Sequence, residues 1–128
     1  MSNELRMPLK TKWFEMTKAR IKPEDYRELN LYWAKRLLKR IKSPHGGYFS
    51  PMSDFIEGKY DFAEWRRFGG SPFAEFDCNV MTLGYPKSTD TDKILKLEHK
   101  GIEIRTGNPE WGAEPNKLYF VIMHGDIL

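Results

Sequence analysis

Three charged side chains within six residues carry the densest chemistry of the chain: Lys22, Asp25 and Arg27, in the run Ile21-Lys22-Pro23-Glu24-Asp25-Tyr26-Arg27-Glu28. A cation, a carboxylate and a guanidinium at this spacing can hold an anion or poise a lysine for proton transfer or attack. Pro23 biases Lys22 towards extended backbone. In a strand, Asp25 and Arg27 share one face and Tyr26 takes the other. That polar face suits a pocket floor; its simpler counterpart is an exposed edge strand of solvated charges.

Cations interleaved with aromatics extend the pattern: Lys12-Trp13, Trp33, Trp65-Arg66-Arg67 and Trp111. Stacking on a base combined with neutralising phosphate is the recipe for single-stranded RNA or nucleotide binding. Other chemistries find little support. His45, His99 and His124 are scattered and form no recognisable pair with Cys78, so no metal is expected. No glycine-rich phosphate loop, nucleophile elbow or serine–histidine pattern occurs, and no cofactor is implied.

These residues must be positioned by a small set of elements. Leu5 to Lys10 reads as a first strand. Thr11 is placed to N-cap a helix over Lys12 to Ala19, with Phe14 in the core. After the Lys22 to Glu28 segment, Asn30 is placed to N-cap a second helix from Leu31 to about Ile41. There Ala34, Leu37, Leu38 and Ile41 form the inner stripe; Lys35, Arg36, Lys39 and Arg40 lie opposite, as a solvated face or a phosphate track. Residues 43–60 break the periodicity and read as a loop insertion bearing Tyr48, Phe49, Phe55 and Tyr60; 86–92 is a second insertion. Phe62 to Phe68 reads as a strand. Phe73 to Leu83 is another, with Phe76, Cys78 and Val80 on an apolar face and Glu75, Asp77 and Asn79 on the other. Ile94 to Leu97 and Ile102 to Arg105 follow as two strands broken at Lys100-Gly101 by a bend or bulge. A structured loop at 106–115 carries Glu110 and Trp111. Leu118 to Met123, apolar on both faces, suits a buried central strand. The sum is an α+β domain over 1–128: a small, strongly bent sheet or barrel of about six strands with two N-terminal helices.

Composition agrees. The chain has 128 residues, 40% hydrophobic and 30% charged, enough for one domain with its own core. Residues 1–48 hold 12 Lys and Arg against 5 Asp and Glu, while the remainder holds 9 against 13. The asymmetry favours an anionic partner for the first part and falls short of a duplex-wrapping protein. A single cysteine excludes an internal disulfide. With no membrane-length apolar run and no signal-peptide core at the start, a cytoplasmic setting without membrane association is expected.

The runs Met7-Pro8-Leu9-Lys10-Thr11-Lys12-Trp13-Phe14-Glu15-Met16, Lys22 to Leu29, and Tyr32-Trp33-Ala34-Lys35-Arg36-Leu37 resemble the ASCH domain family. They are most similar to a small single-domain branch found in phages and bacteria. Gly101-Ile102-Glu103-Ile104 and the loop Gly107 to Ala113 also resemble that branch, so both ends of the chain are covered, but not 43–60 or 86–92. The family signature is Gly-x-Lys-x-x-Glu-x-Arg. Aligned on Arg27, its lysine is Lys22, its glutamate position holds Asp25 and its glycine position holds Arg20. The resemblance implies a PUA-like β-barrel whose cleft is lined by Lys22, Asp25 and Arg27, binding RNA or modified nucleosides and nucleotides. Lys12, Trp13, Trp33, Arg66, Arg67, Glu110 and Trp111 are the further candidate ligand contacts.

Two alternatives accompany this expectation. Some small family members hydrolyse acetylated cytidine through the signature lysine, and ribonuclease activity is attributed to others. In an enzyme, Lys22 would be base or nucleophile, Asp25 or Glu110 its carboxylate partner, and Tyr26 a second acid. Here Asp25 stands where the amidohydrolases carry a threonine. The other alternative is a phage-derived interaction module that grips a host protein with the aromatic 48–60 loop.

Overall fold

The computed structural model describes residues 3–38, 41–42, 48–49 and 73–128. The chain forms two compact units, one of residues 1–27 with 75–128 and one of residues 28–74. Five strands of the first unit build a curled mixed sheet: β1 (Glu4–Leu9), β2 (Glu24–Arg27), β5 (Cys78–Leu83), β6 (Ile94–Thr106) and β7 (Leu118–Ile127), in the order β1-β5-β6-β7-β2. β1 runs parallel to β5, and every other pairing is antiparallel. The α1 helix (Thr11–Lys18) follows β1 directly and lies against β5.

Core formation explains the strands. Leu5, Met7 and Leu9 alternate inward along β1, the period-two signature of a sheet with one buried face. Tyr119 to Ile122 of β7 are buried on both faces, as an interior strand demands. The expected break at Lys100-Gly101 does not end a strand. β6 runs unbroken for 13 residues, and its pairing with β7 slips between Leu97 and Gly101, where Gly101 takes φ +124°. Such a bulge exchanges the two faces. Leu95 and Leu97 point to the core before it, and the even-numbered Ile102 does so after it.

β5 corrects a second expectation. It starts at Cys78, and its alternation is absent, because Asn79 and Thr82 are buried with Val80 and Met81. Cys78 is a buried free thiol. Asn79 is accommodated by its partners: Oδ1 lies 2.7 Å from His99 Nδ1, and Nδ2 lies 2.7 Å from His124 Nδ1. The two histidines, scattered in sequence, are therefore neighbours across the β6–β7 ladder.

The α1 helix begins one residue earlier than expected. Lys10, in extended geometry, is the N-cap without a side-chain bond; Thr11 is already helical. Its C-terminus closes with a Schellman arrangement. Ile21 N–H donates to the Met16 carbonyl at 2.9 Å and Arg20 N–H to that of Thr17 at 3.1 Å. Arg20 there adopts φ +65°, the left-handed region. A side chain in this conformation costs about 1–2 kcal/mol, and the exposed Arg20–Asp126 ion pair offsets little of it. Arg20→Gly is therefore expected to raise stability by about 0.5–1 kcal/mol, after the extra freedom glycine gives the unfolded chain. Urea denaturation measures it, and a loss of stability would contradict this account of the turn.

The second unit holds α2 (Leu31–Leu37) and a hairpin-like pair, β3 (Ile41–Lys42) with β4 (Tyr48–Phe49). Asn30 N-caps α2 through Oδ1, which accepts from Trp33 N–H at 3.0 Å. Ala34 and Leu37 are buried, and Lys35 and Arg36 are exposed. The helix stops short of Ile41, because Leu38 turns extended and bridges Phe73. The expected strand 62–68, with Arg66 and Arg67, lies outside the described residues, as do His45, Lys39, Arg40 and most of 43–60. No helix among the described residues is long and apolar enough to cross a membrane.

Candidate functional site

β1 and β2 are the two edges of the five-stranded sheet. Curling brings them near each other, and one side chain spans the gap. Arg27 on β2 donates from Nη2 to the Pro8 carbonyl on β1 at 2.9 Å, and from Nε to Asp25 Oδ2 at 2.8 Å. Asp25 Oδ1 accepts from Lys22 Nζ at 2.9 Å, and Lys22 Nζ also donates to the Glu24 carbonyl at 2.9 Å. The edge strand thus carries its charges inward rather than into water. Lys22 is 2% exposed and Asp25 5%.

The alternation of β2 sends Glu24 and Tyr26 into a different network. Glu24 takes a bidentate pair from Arg105, at 2.7 and 3.0 Å. It also accepts from the Tyr26 hydroxyl at 2.6 Å, while that hydroxyl accepts from Asn108 N–H at 2.9 Å. Tyr26 thereby anchors the loop that follows β6. Gly107 lies so close to the Tyr26 ring that a Cβ there would fall 2.5 Å from it, and a Cβ on Gly112, at φ +100°, would fall 2.9 Å from the Trp13 indole. The loop is held at the seam by these close approaches.

Between the edges opens a cavity of about 270 Å³, lined by Pro8, Leu9, Lys10, Trp13, Lys22, Asp25, Tyr26, Arg27, Trp111 and Gly112. Its size is near the lower end for small-molecule sites and suits one planar ring system with a substituent. Lys22 Nζ lies 5.9 Å from the Trp13 ring centre and 5.6 Å from that of Tyr26, within cation–π range.

Electrostatics follow from burial and pairing. Burial pushes the Asp25 carboxyl up, but the Arg27 guanidinium and Lys22 ammonium outweigh it and hold the group below the usual carboxylate range. The same balance, struck by Arg105 and Tyr26, keeps Glu24 low. Burial raises the Tyr26 phenol well above its ordinary value. Two cations, Lys22 and Arg27, thus line the cavity together with the carboxylate that bridges them.

Of the residues singled out by sequence, Trp13, Lys22, Asp25, Tyr26, Arg27 and Trp111 line this one cavity. Lys12 does not; it is exposed and its Nζ lies 4.8 Å from the Trp13 ring centre. Glu110 is exposed in the turn Pro109–Trp111 and is not among the lining residues, so it is no carboxylate partner for Lys22. Trp33 belongs to the second unit, edge-on to Tyr32 with the Arg36 guanidinium 5.3 Å from its ring centre. Sequence reasoning passed over Lys10, Pro8 and Gly112. Lys10 ends the first strand beside Trp13, and the strand-to-helix junction was the signal available for it. Among the described residues no group of three or more His, Cys, Asp or Glu side chains is disposed to hold a metal ion. Comparison of the chain with protein-family models, with curated proteins and with solved structures gave no match in any of the three.

Proposed function

We propose that this protein is an RNA- or nucleotide-binding module, built on a small PUA-like barrel of the ASCH type. One observation carries the proposal: a bridged Lys22–Asp25–Arg27 cluster lines the same cavity as Trp13, Tyr26 and Trp111. Aromatic walls favour a flat heterocycle, and the lysine and arginine donors favour an electron-rich edge. The barrel reading draws support from Arg27, which links the two sheet edges. Arg20 supports the family reading, since it stands at the signature glycine position with the positive φ that glycine adopts most readily.

The hydrolytic alternative would need Lys22 Nζ released from both of its acceptors. It would also need an acid other than Tyr26, whose hydroxyl is committed to Glu24 and Asn108. No observation favours it over binding.

Titration with a short single-stranded RNA and with free nucleotides at low salt, followed by tryptophan fluorescence, tests the proposal. Binding is expected, and Trp111→Ala should weaken it about 10- to 100-fold, the worth of one lost stacking contact. Absence of binding to every ligand at low salt would rule the function out.

A further inference from the structure

Single exposed apolar side chains are ordinary on a protein surface. Tyr85 differs from them in its mounting and its place. It is 93% exposed, the most of any large hydrophobic side chain among the described residues. The backbone beneath it is pinned. Gly84, at φ +65°, donates from its N–H to the Leu9 carbonyl at 3.3 Å, and its own carbonyl accepts from Thr82 Oγ1 at 2.8 Å. Pro86 biases Tyr85 towards extended backbone. Beyond Pro86, Asp90 closes a turn: its N–H donates to the Lys87 carbonyl at 2.9 Å, and its Oδ2 accepts from Lys87 N–H at 3.3 Å. An aromatic ring is thus presented to water from a fixed turn, and a ligand that stacks on it has little backbone left to order.

The place is the rim of the cavity. Leu9 and Lys10 line that cavity, and β1 runs parallel to β5 with Leu9 opposite Leu83. Adjacent strands lie about 4.8 Å apart, so the Tyr85 backbone starts close to the lip. Lys10 at the lip and Lys87 beyond Tyr85 are both exposed and supply cations for a phosphodiester backbone. The 84–90 loop lies outside every run of the chain that resembles the ASCH family. On the reading that the cavity binds a nucleotide, we propose that Tyr85 is a second stacking platform, outside the cavity. One unit of a single RNA strand occupies the cavity, and the adjoining unit passes Lys10 and lays its base on the Tyr85 ring. A free nucleotide reaches only the cavity, so the ligand class is a strand of two or more units. Stacking accepts every base, and the platform adds affinity without a sequence preference of its own.

Calorimetric titration of the full chain with UMP and AMP, and with the RNA tetramers UUUU and AAAA, tests the platform in the natural chain, Tyr85→Ala and Tyr85→Phe. Substitution at so exposed a position leaves the fold in place. In the natural chain the tetramers are expected to bind about tenfold or more tighter than the monophosphates. Tyr85→Ala should weaken the tetramers about 5- to 100-fold, the range for one lost stacking contact, and leave the monophosphates unchanged. Tyr85→Phe keeps a ring and should keep the tetramer affinity. Tetramers unaffected by Tyr85→Ala, or monophosphates weakened as much as tetramers, would overturn the platform while leaving binding at the cavity in place. No binding of any of the four ligands to the natural chain would remove the binding function itself and this inference with it.

Discussion

Asp25→Ala is expected to destabilise the protein by about 3–5 kcal/mol, the penalty for leaving buried charge without its counter-ion. Asp25 lies between two cations, at 2.9 Å from Lys22 Nζ and 2.8 Å from Arg27 Nε. Its removal takes the side-chain counter-ion from Lys22 and one of several partners from Arg27. Arg27 has some relief, since its side chain is 16% exposed, but that of Lys22 is 1% exposed and has none. The reverse substitution is milder. Lys22→Met leaves Asp25 on Arg27, a neutral pair, and methionine fills much of the same space. Lys22→Met in the Asp25→Ala background should therefore recover part of the loss, a coupling that a double-mutant cycle in urea isolates. Against a total stability of about 5–15 kcal/mol for a domain, Asp25→Ala decides whether the chain folds at all at elevated temperature. A loss under about 1 kcal/mol, the range of exposed ion pairs, would mean that the cluster is hydrated, and the closed seam would have to be abandoned with it.

The cluster also marks how far local pattern reaches. That β2 is a strand, with Asp25 and Arg27 on one face and Tyr26 on the other, follows from alternation and from Pro23, and both are local. That its charges point inward does not. An edge segment with four charges in six residues reads as solvated unless the far edge is known to curl back, and the Pro8 carbonyl that receives Arg27 lies 19 residues upstream on another strand. The same limit applies to Asn79. Alternation assigned it to the polar face of β5, because nothing near it signals the imidazoles 20 and 45 residues away that satisfy its amide. Gly101 was legible as an interruption but not as a bulge. Continuation of the ladder depends on β7, whose register absorbs the slip. The meeting of Trp111 with Lys22 has no local signal either; it rests on Tyr26 tying down Asn108, and on Gly107 and Gly112 fitting where a side chain would collide.

Acid is expected to destabilise the protein well before its carboxylates titrate, through His124. Asn79 donates to His124 Nδ1 and accepts from His99 Nδ1, so the amide in this orientation assigns His124 Nδ1 as acceptor and His99 Nδ1 as donor. A proton on His124 Nδ1 would face the Asn79 N–H. Rotating the amide to receive it would turn that N–H group onto the His99 proton. Burial disfavours the imidazolium further and brings His124 from its ordinary 6.5 to about 4, with Asp25 opposing and Lys22 and His99 assisting the shift; Glu24 on β2 also opposes it. Between those two values the unfolded chain binds a proton that the folded chain does not, so stability falls as pH drops through the window. The slope is about 1.4 kcal/mol per pH step for one proton, and the total is about 3 kcal/mol. The loss levels off once folded His124 itself protonates. His99, also lowered by burial, acts in the same direction. Asp25 and Glu24, held below their ordinary values, lose their contribution only at still lower pH. Urea midpoints measured from pH 7 to pH 4 should fall steeply for the natural chain. They should fall far less for His124→Asn, whatever that variant's stability at pH 7. Equal slopes for the two proteins would show that His124 binds its proton as readily folded as unfolded, and the part-buried histidine–asparagine–histidine chain would lose its basis.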